Sequence, residues 1–298
     1  MADAPQDRVR NPRGGPDPDT KKPNFVLPPG ACDCHVHVFG PAEKFPFPPA
    51  NAKRGFDAPK EDLHAMHGTI GADRCVIVHG GTHGTDLSVT LDALATSTRP
   101  MRAVALVDDD ITDARLEELH AAGFRGIRYS PAMSGIPLED YVVRRMADRL
   151  APLGWHILFH FKGDMILDYA DFLRDLPVPP VLDHFAGIDP AAGGTDQDSF
   201  RSLIGLLTEG GGWVKTSGID RISSQPYPFA DAAEIARALV EAAPDRVIWG
   251  TDWPHPGIGP QGATNDGDLV DLIPTYASDP ALRKKLLVDN PARLYGFD

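Results

Sequence analysis

The chain has 298 residues, 42% of them hydrophobic, which is enough apolar material for one large α/β domain or two smaller ones. Its formal net charge of −13 argues against nucleic acid or an anionic membrane surface as a partner. No segment approaches the ~18 consecutive apolar residues that a membrane span requires. Three cysteines cannot all pair within one chain, and no signal-like apolar segment opens the sequence, so we expect a cytoplasmic protein.

The first 27 residues are polar, rich in proline and glycine, and without periodicity. This composition predicts a flexible N-terminal arm over residues 1–27, followed by a folded domain over residues 28–298. An arm of this kind could cross the surface of a neighbouring subunit. Both a monomer and a homodimer therefore stay open.

Short apolar runs recur after the arm, with helix-like stretches between most of them. The runs are ACDCHVHV, RCVIVHG, MRAVALVD, FRGIRYS, WHILFHF, PPVLDHF, GWVKTSG and RVIWGTD. Strands that alternate with helices predict parallel βαβ units, and eight units over about 250 residues match an α/β fold of the (β/α)8 TIM-barrel type. An open doubly wound sheet is less favoured, because no glycine-rich phosphate loop follows any run.

The first run contains two histidines one residue apart. Because side chains alternate along a strand, Asp33, His35 and His37 are expected on one face, with Cys32 and Cys34 on the other, away from the barrel axis. Two imidazoles on one face can reach a common ion. Two incidental, hydrogen-bonded histidines would give the same pattern, so the motif alone does not decide.

Polar side chains gather at the predicted carboxyl ends of the strands, which is where TIM barrels carry their chemistry. In chain order these are His35 and His37, His79 and His83, Asp108, Arg128, His160, His184, Lys215 and Ser217, and Asp252. Structural histidines could fall anywhere along a strand. Their collection at one end, with an aspartate completing the ring, indicates a metal or catalytic site.

These residues resemble the amidohydrolase-related branch of the amidohydrolase superfamily over about residues 28–297. The resemblance rests on the segments DCHVHVFGP, LDHF, WGTDWPHP and NPARLYGF. Within that branch, the pattern is most similar to a group of lactone hydrolases and isomerases that includes 2-pyrone-4,6-dicarboxylate lactonases and sulfomuconolactone hydrolases. The resemblance implies an enzyme that takes part in the degradation of aromatic compounds.

The resemblance also implies one divalent metal ion. The metal-free dicarboxylate lactonases have a tyrosine near the end of strand 5, whereas metal-bearing relatives have a histidine there, and this chain has His160. The implied ligands are His35, His37, His160, His184 and Asp252. Imidazoles with one carboxylate favour Zn²⁺, although a metal-free mechanism stays open.

The implied reaction is hydrolytic opening of a small anionic lactone, which makes the enzyme a carboxylic ester hydrolase. A metal-bound water would be the nucleophile, and Asp252 and His184 would be the catalytic residues, with Asp252 as general acid and base. The dicarboxylate lactonase carries arginines near Ser134 and Gly187, so a substrate with one carboxylate or sulfonate is expected here. The side chains expected to bind the substrate are Arg128, Arg221, Lys162, His83 and His255.

Three other functions stay open on the same scaffold. A sugar-acid lactone isomerase would close the opened ring again in another size, and a metal-dependent decarboxylase would release CO₂. A barrel without enzymatic activity could bind a metabolite or keep the ion for stability.

Overall fold

The computed structural model describes residues 16–52, 55–257 and 264–297. Within them, eight strands form one parallel sheet in which each strand pairs with the next along the chain. The strands are β1 (Cys32–Val36), β2 (Arg74–Val78), β3 (Met101–Ala105), β4 (Phe124–Tyr129), β5 (His156–Phe159), β6 (Pro180–Leu182), β7 (Trp213–Lys215) and β8 (Val247–Ile248).

Backbone hydrogen bonds between β1 and the residues that follow β8 bring the two ends of the sheet together. The amide of Cys34 donates to the carbonyl of Trp249 at 2.9 Å, and the amide of His37 donates to the carbonyl of Trp253 at 2.7 Å. The predicted (β/α)8 barrel is therefore confirmed, and each of the eight apolar runs contains one of the strands. The runs are nearly continuously apolar because helices cover the sheet on its outer face.

Helices separate the strands and cover the barrel. They are α1 (Lys60–Ile70), α2 (Ser88–Thr96), α3 (Asp113–Ala122), α4 (Pro131–Ser134), α5 (Asp140–Leu150), α6 (Met165–Arg174), α7 (Asp198–Thr208), α8 (Ile219–Ile222), α9 (Ala230–Ala242), α10 (Asp266–Tyr276), α11 (Pro280–Lys284) and α12 (Asn290–Tyr295). A π-helical turn over Lys285–Asp289 joins the last two. Among the described residues, no helix is long and apolar enough to cross a membrane.

The apolar core has two layers. The larger one lies between the strands and the helices, and the smaller one fills the barrel interior. Tyr295 and Phe297 belong to the inner layer and close the amino-terminal end of the barrel. Arg74 and Arg102, from the starts of β2 and β3, lie over the Phe297 ring at 5.1 and 5.0 Å.

The predicted alternation of side chains along β1 is wrong. The pairing with β2 advances by three residues on β1, from Asp33 to Val36, while β2 advances by only two. This extra residue is a β-bulge, and a bulge breaks the simple alternation of faces. As a result, Cys34 and His35 both lie on the inner side of the barrel although they are neighbours in sequence.

The two cysteines and Asp33 consequently lie on the faces opposite to those expected. Cys32 and Cys34 pack inside the barrel with inward residues of the other strands. Asp33 instead points outward, where its Oδ2 accepts a hydrogen bond from the hydroxyl of Thr251 at 2.6 Å and lies 3.2 Å from Nε2 of His67 on α1. Asp33 is thus a structural link between β1, β8 and α1.

Residues 17–27 lie within the predicted arm and pack along α10 of the same chain. The Lys21 ammonium lies 2.5 Å from Asp268 and 3.1 Å from Asp271. The amides of Asn24 and Phe25 donate to Asp271 at 2.7 and 2.8 Å. The composition of the segment could not predict this contact, because the contact depends on charge pairs with residues about 250 positions away. Residues 1–15 of the predicted arm lie outside the described part of the chain.

Candidate active site

Three imidazole nitrogens surround one carboxylate oxygen at the carboxyl end of the barrel. Oδ1 of Asp252 lies 3.5 Å from Nε2 of His35, 3.5 Å from Nε2 of His37 and 3.9 Å from Nε2 of His184. One donor atom each from His35, His184 and Asp252 lies within 4.8 Å of the other two. Nε2 of His35 and Oδ1 of Asp252 are buried and have no hydrogen-bond partner. Two buried ligand atoms that face one another without a hydrogen-bond partner are suited to binding a metal ion.

The other ring nitrogen of each histidine is held by the protein. Nδ1 of His37 donates to the carbonyl of Val78 at 2.6 Å, and Nδ1 of His184 donates to the carbonyl of Ser217 at 3.2 Å. Nδ1 of His35 lies 3.0 Å from Oδ1 of Asp183. Because a carbonyl only accepts, the hydrogen bonds of His37 and His184 place the proton on Nδ1 and leave the lone pair on Nε2. This is the usual arrangement of histidines that ligate a metal.

His160 lies beside this group. Its ring centroid is 5.4 Å from that of His184, and its Nδ1 lies 3.0 Å from the hydroxyl of Ser130. Burial, with a further contribution from the Arg128 charge, lowers the pKa of His160 to about 3. The ring is therefore neutral at pH 7. It is available next to the group, but neither His160 nor His37 belongs to the set of donors that lie within 4.8 Å of one another. His37 is nearer than His160 to Asp252, with its Nε2 3.5 Å from Oδ1.

The backbone at His184 and at Asp252 is in the left-handed region of φ and ψ. His184, Phe185 and Ala186 have φ values of 46°, 58° and 57°, and Asp252 has φ 67°. Non-glycine residues adopt this region rarely and at a cost, and such strain is common at functional sites. The turn that follows His184 ends at Gly187, where a Cβ atom would lie 2.7 Å from the carbonyl oxygen of Phe161. A larger side chain cannot occupy that position without a shift of the loop after β5.

Gly250 brings the two ends of the sheet close together. A Cβ atom at this position would lie 2.6 Å from the backbone nitrogen of His35. The inner face of β8 therefore needs glycine here, since only glycine allows the backbone of β1 to approach so closely. That approach places the Asp252 carboxylate next to the β1 histidines.

Asp183 is a site residue that the sequence reasoning missed. It is fully buried, and its Oδ2 lies 2.8 Å from Nη2 of Arg128, while its Oδ1 lies 3.5 Å from Nζ of Lys215. Burial alone would raise the pKa of Asp183, but His35, Arg128 and Lys215 hold that pKa well below its usual value. The signal was its position directly before His184 in LDHF, where a strand ends.

Both arginines predicted to bind the substrate pair with carboxylates of the site. Arg128 pairs with Asp183, and Arg221 donates from Nε at 3.0 Å and from Nη2 to Oδ2 of Asp252. Burial raises the pKa of Asp252, but Arg221 and His184 hold it well below its usual value, so Asp252 is ionised. Lys215 is a third basic side chain in this region, paired with Asp183.

Two of the other predicted substrate contacts are engaged elsewhere in the fold. Nε2 of His83 accepts a hydrogen bond from the amide of Gly40 at 3.2 Å, and the His83 ring packs on Phe47 at 4.8 Å. His255 is buried, with Nε2 3.2 Å from Asp266. Burial lowers the pKa of His255, but the Asp266 carboxylate outweighs it and raises that pKa to about 9. Among the described residues, neither imidazole forms a hydrogen bond with the group around Asp252.

Lys162 is exposed and lines a separate cavity of about 530 Å³. The cavity lies between the segments that follow β4 and β5 and the start of α6, with Pro131, Met165 and Tyr169 among its walls. None of the histidines around Asp252 lines it. A role for Lys162 in binding substrate stays a prediction.

Comparisons with known proteins show what the whole chain is similar to. The family model described as amidohydrolase matches residues 32–297. The chain is 38% identical to a 4-sulfomuconolactone hydrolase of Hydrogenophaga intermedia, over 95% of this chain and 94% of that protein. It is also 38% identical to a 2-pyrone-4,6-dicarboxylate hydrolase of Comamonas testosteroni, over 92% of each. The apo crystal structure of an Agrobacterium tumefaciens protein, 28% identical, superposes with a TM-score of 0.77 over 93% of this chain and 99% of that one.

Proposed function

Because the chain belongs to the amidohydrolase family, we propose that it is a metal-dependent hydrolase that opens the ring of a small lactone bearing a carboxylate or a sulfonate. The observation that carries the proposal is the convergence of three Nε2 atoms on Oδ1 of Asp252 at the carboxyl end of the barrel. The names of its relatives supply the substrate class, since both describe hydrolases of anionic lactones.

The proposed metal ligands are His35, His37, His184 and Asp252, with His160 next to them. Neutral imidazoles with one carboxylate are typical ligands of zinc, so Zn²⁺ is the proposed ion. When bound, zinc supplies a Lewis acid that polarises a carbonyl and lowers the pKa of water toward ~7.

Asp252 performs the proton transfers in this proposal. Its pKa lies well below the usual value, so the carboxylate is in the basic form at neutral pH. It accepts a proton from the attacking water while the water oxygen bonds to the lactone carbonyl carbon. The bond between that carbon and the ring oxygen then breaks, and Asp252 returns the proton to the departing oxygen. One water molecule is consumed, and the product is an open hydroxy or keto acid.

The positive charge of the site accounts for an anionic substrate. Arg128 and Arg221 each pair with one carboxylate and can donate further N–H groups to a carboxylate or sulfonate. Because the whole chain has a net charge of −13, an anionic substrate requires a local group of basic side chains such as this one. These arginines would orient the ring so that its carbonyl faces the three histidines.

The direct test is to incubate the purified protein with 4-sulfomuconolactone and, separately, with 2-pyrone-4,6-dicarboxylate. We expect a product that has gained one water molecule, one equivalent of zinc by elemental analysis, loss of activity with a chelator and its return with zinc. A product of unchanged mass would instead indicate an isomerase, and release of CO₂ a decarboxylase. Full activity in protein free of metal would contradict the zinc mechanism.

A further inference from the structure

We propose that Asp183 is a positioning residue that sets the tautomer of His35 and holds Arg128 in place for the substrate anion. The first part, the tautomer of His35, concerns only residues of this chain. The second part, the placement of Arg128 for the substrate anion, rests on the function proposed above. One buried carboxylate would thus join the metal side of the site to its anion-binding side.

His35 differs from the other histidines of the site in what holds its Nδ1 atom. His37 donates to a main-chain carbonyl, His184 contacts the carbonyl and the hydroxyl of Ser217, and His160 contacts the hydroxyl of Ser130. Within the described residues of the site, only His35 has an ionised carboxylate at Nδ1, at 3.0 Å. A carboxylate partner fixes the ring with Nδ1 protonated and makes Nε2 a stronger donor to a metal.

A second neighbour of His35 favours the opposite tautomer. The Lys215 ammonium lies 3.4 Å from the same Nδ1 atom and is fully buried. An ammonium can only donate, so it would bond to Nδ1 only if the proton had moved to Nε2. That proton would then point at Asp252 and block Nε2 as a ligand. The charge of Asp183 therefore decides between the two states, because it attracts the Nδ1 proton and pairs with Lys215 at 3.5 Å.

The same carboxylate holds Arg128. Oδ2 of Asp183 forms an ion pair with Nη2 of Arg128 at 2.8 Å. Nε of that arginine and both carboxylate oxygens of Asp183 are buried without a hydrogen-bond partner, so the contacts of Asp183 are held by charge. Loss of the negative charge would leave the buried Lys215 ammonium and the largely buried Arg128 guanidinium without the carboxylate that pairs with both. Buried charges that lose their partner are strongly unfavourable. Both cations would then repel a metal ion at Nε2 of His35, and Arg128 would lose its fixed direction.

The substitution Asp183→Asn tests this proposal because it keeps the shape and removes the charge. The asparagine oxygen would stay on Arg128, which only donates, so the amide NH₂ would face Nδ1 of His35. We expect ¹⁵N-histidine NMR of the metal-free protein to show His35 protonated at Nδ1 in the wild type and at Nε2 in the variant. The signals are assigned by their loss in His35→Gln.

Zinc affinity is the second readout. In competition with a chelator, Asp183→Asn should bind Zn²⁺ roughly 10–100-fold more weakly, the usual effect of losing such a partner. The matched control is Ser217→Ala, which removes the hydroxyl at His184 but keeps the carbonyl that accepts from its Nδ1. That variant should retain its tautomer and its zinc affinity within about threefold, since the carbonyl partner remains.

Anion binding is the third readout, with benzenesulfonate as the charged probe and methyl phenyl sulfone as the neutral one. Asp183→Asn should weaken binding of the sulfonate and leave binding of the sulfone unchanged. An unaltered tautomer with wild-type zinc affinity in Asp183→Asn would overturn the proposal. If that variant does not fold, a wild-type His35 found protonated at Nε2 would overturn it equally. Failure of the proposed function would appear separately, as a wild type that leaves both lactones intact.

Discussion

At the scale of single residues, the site depends on which atom of each side chain is left free. The protein holds Nδ1 of His37 and His184 with carbonyl oxygens, so that Nε2 faces Asp252. Arg221 holds Oδ2 of Asp252 and leaves Oδ1 toward the histidines. The proton positions on His37 and His184 are thus set by main-chain carbonyls before any ligand binds, and such preorganisation favours acid–base catalysis.

Asp252→Asn tests the proton-transfer role directly. Three imidazoles remain, so we expect the variant to keep most of its zinc by elemental analysis. Its turnover of an accepted lactone should nevertheless fall by about 10²–10⁴, the usual contribution of a general base. Near-normal turnover would reduce Asp252 to a ligand, and His184 would be the next candidate for the base.

The substitution Ala186→Gly tests whether the backbone of the turn after β6 is strained. It is buried with φ 57°, a conformation that glycine adopts without penalty. We expect the free energy of unfolding of Ala186→Gly to stay within about 0.5 kcal/mol of the wild type. Glycine removes ~1–2 kcal/mol of backbone strain, and this gain offsets the loss of the methyl contacts. The matched control is Ala147→Gly, buried in the regular helix α5, which should cost about 1 kcal/mol by denaturant unfolding. An equal decrease in the free energy of unfolding for the two variants would contradict backbone strain in the turn.

At the scale of elements, the carboxyl end of the barrel is organised by pairs of neighbouring segments. The bulge in β1 turns His35 inward, and Gly250 on the extension of β8 lets the two backbones approach. After β8, the segment containing His255 is joined to the start of α10 by the buried pair of His255 with Asp266. This pair fixes the segment that immediately follows Asp252.

The His255–Asp266 pair predicts a pH dependence of stability. The folded-state pKa of His255 is raised to about 9, above its unfolded value of about 6.5, so protonation of His255 stabilises the protein fully below pH ~6.5. Burial raises the pKa of Asp266, which offsets part of this contribution. The contribution of His255 should be lost as the pH rises from ~6.5 through 9. Urea unfolding across this range should show the decline in the wild type. His255→Gln and Asp266→Asn should both lack it, and parallel curves for all three proteins would contradict the assignment.

Sequence reasoning succeeded where the signal was local and repeated. Eight buried parallel strands leave eight apolar runs, and the carboxyl ends of those runs contain His184 and Asp252. It failed on the faces of β1, because a bulge is set by pairing with another strand and leaves no mark in the alternation of CDCHVHV. It also missed Asp183, whose role depends on charges from β1, β4 and β7 that meet only after the barrel closes.

At the scale of the whole molecule, the barrel is closed at its amino-terminal end by the segment after α12. Tyr295 is fully buried in the inner layer and Phe297 is nearly so. These rings lie at the end opposite to the Asp252 group. The amino-terminal end of the barrel therefore contributes to stability, and the carboxyl end contains the candidate active site, as is general for TIM barrels.

Phe297→Ala tests this separation. Removing a buried aromatic ring should lower the free energy of unfolding by about 3 kcal/mol, while zinc content and KM of the folded protein stay unchanged. Tyr295→Phe is the control, because the Tyr295 hydroxyl is buried and has no hydrogen-bond partner. Its loss should be neutral or slightly stabilising in the same denaturant titration. A large change in KM for Phe297→Ala would show that the two ends are coupled.

The docking of residues 17–27 on α10 has a consequence for how the chain folds. Lys21 pairs with Asp268, β1 pairs with the extension of β8, and Cys32 packs in one layer with Tyr295. Each of these contacts joins the beginning of the sequence to its last fifty residues. A growing polypeptide cannot complete them until its final helices have been synthesised, and contacts across such long loops form slowly. An emerging chain that holds only the early strands therefore has exposed sheet edges, and it depends on late synthesis to cover them.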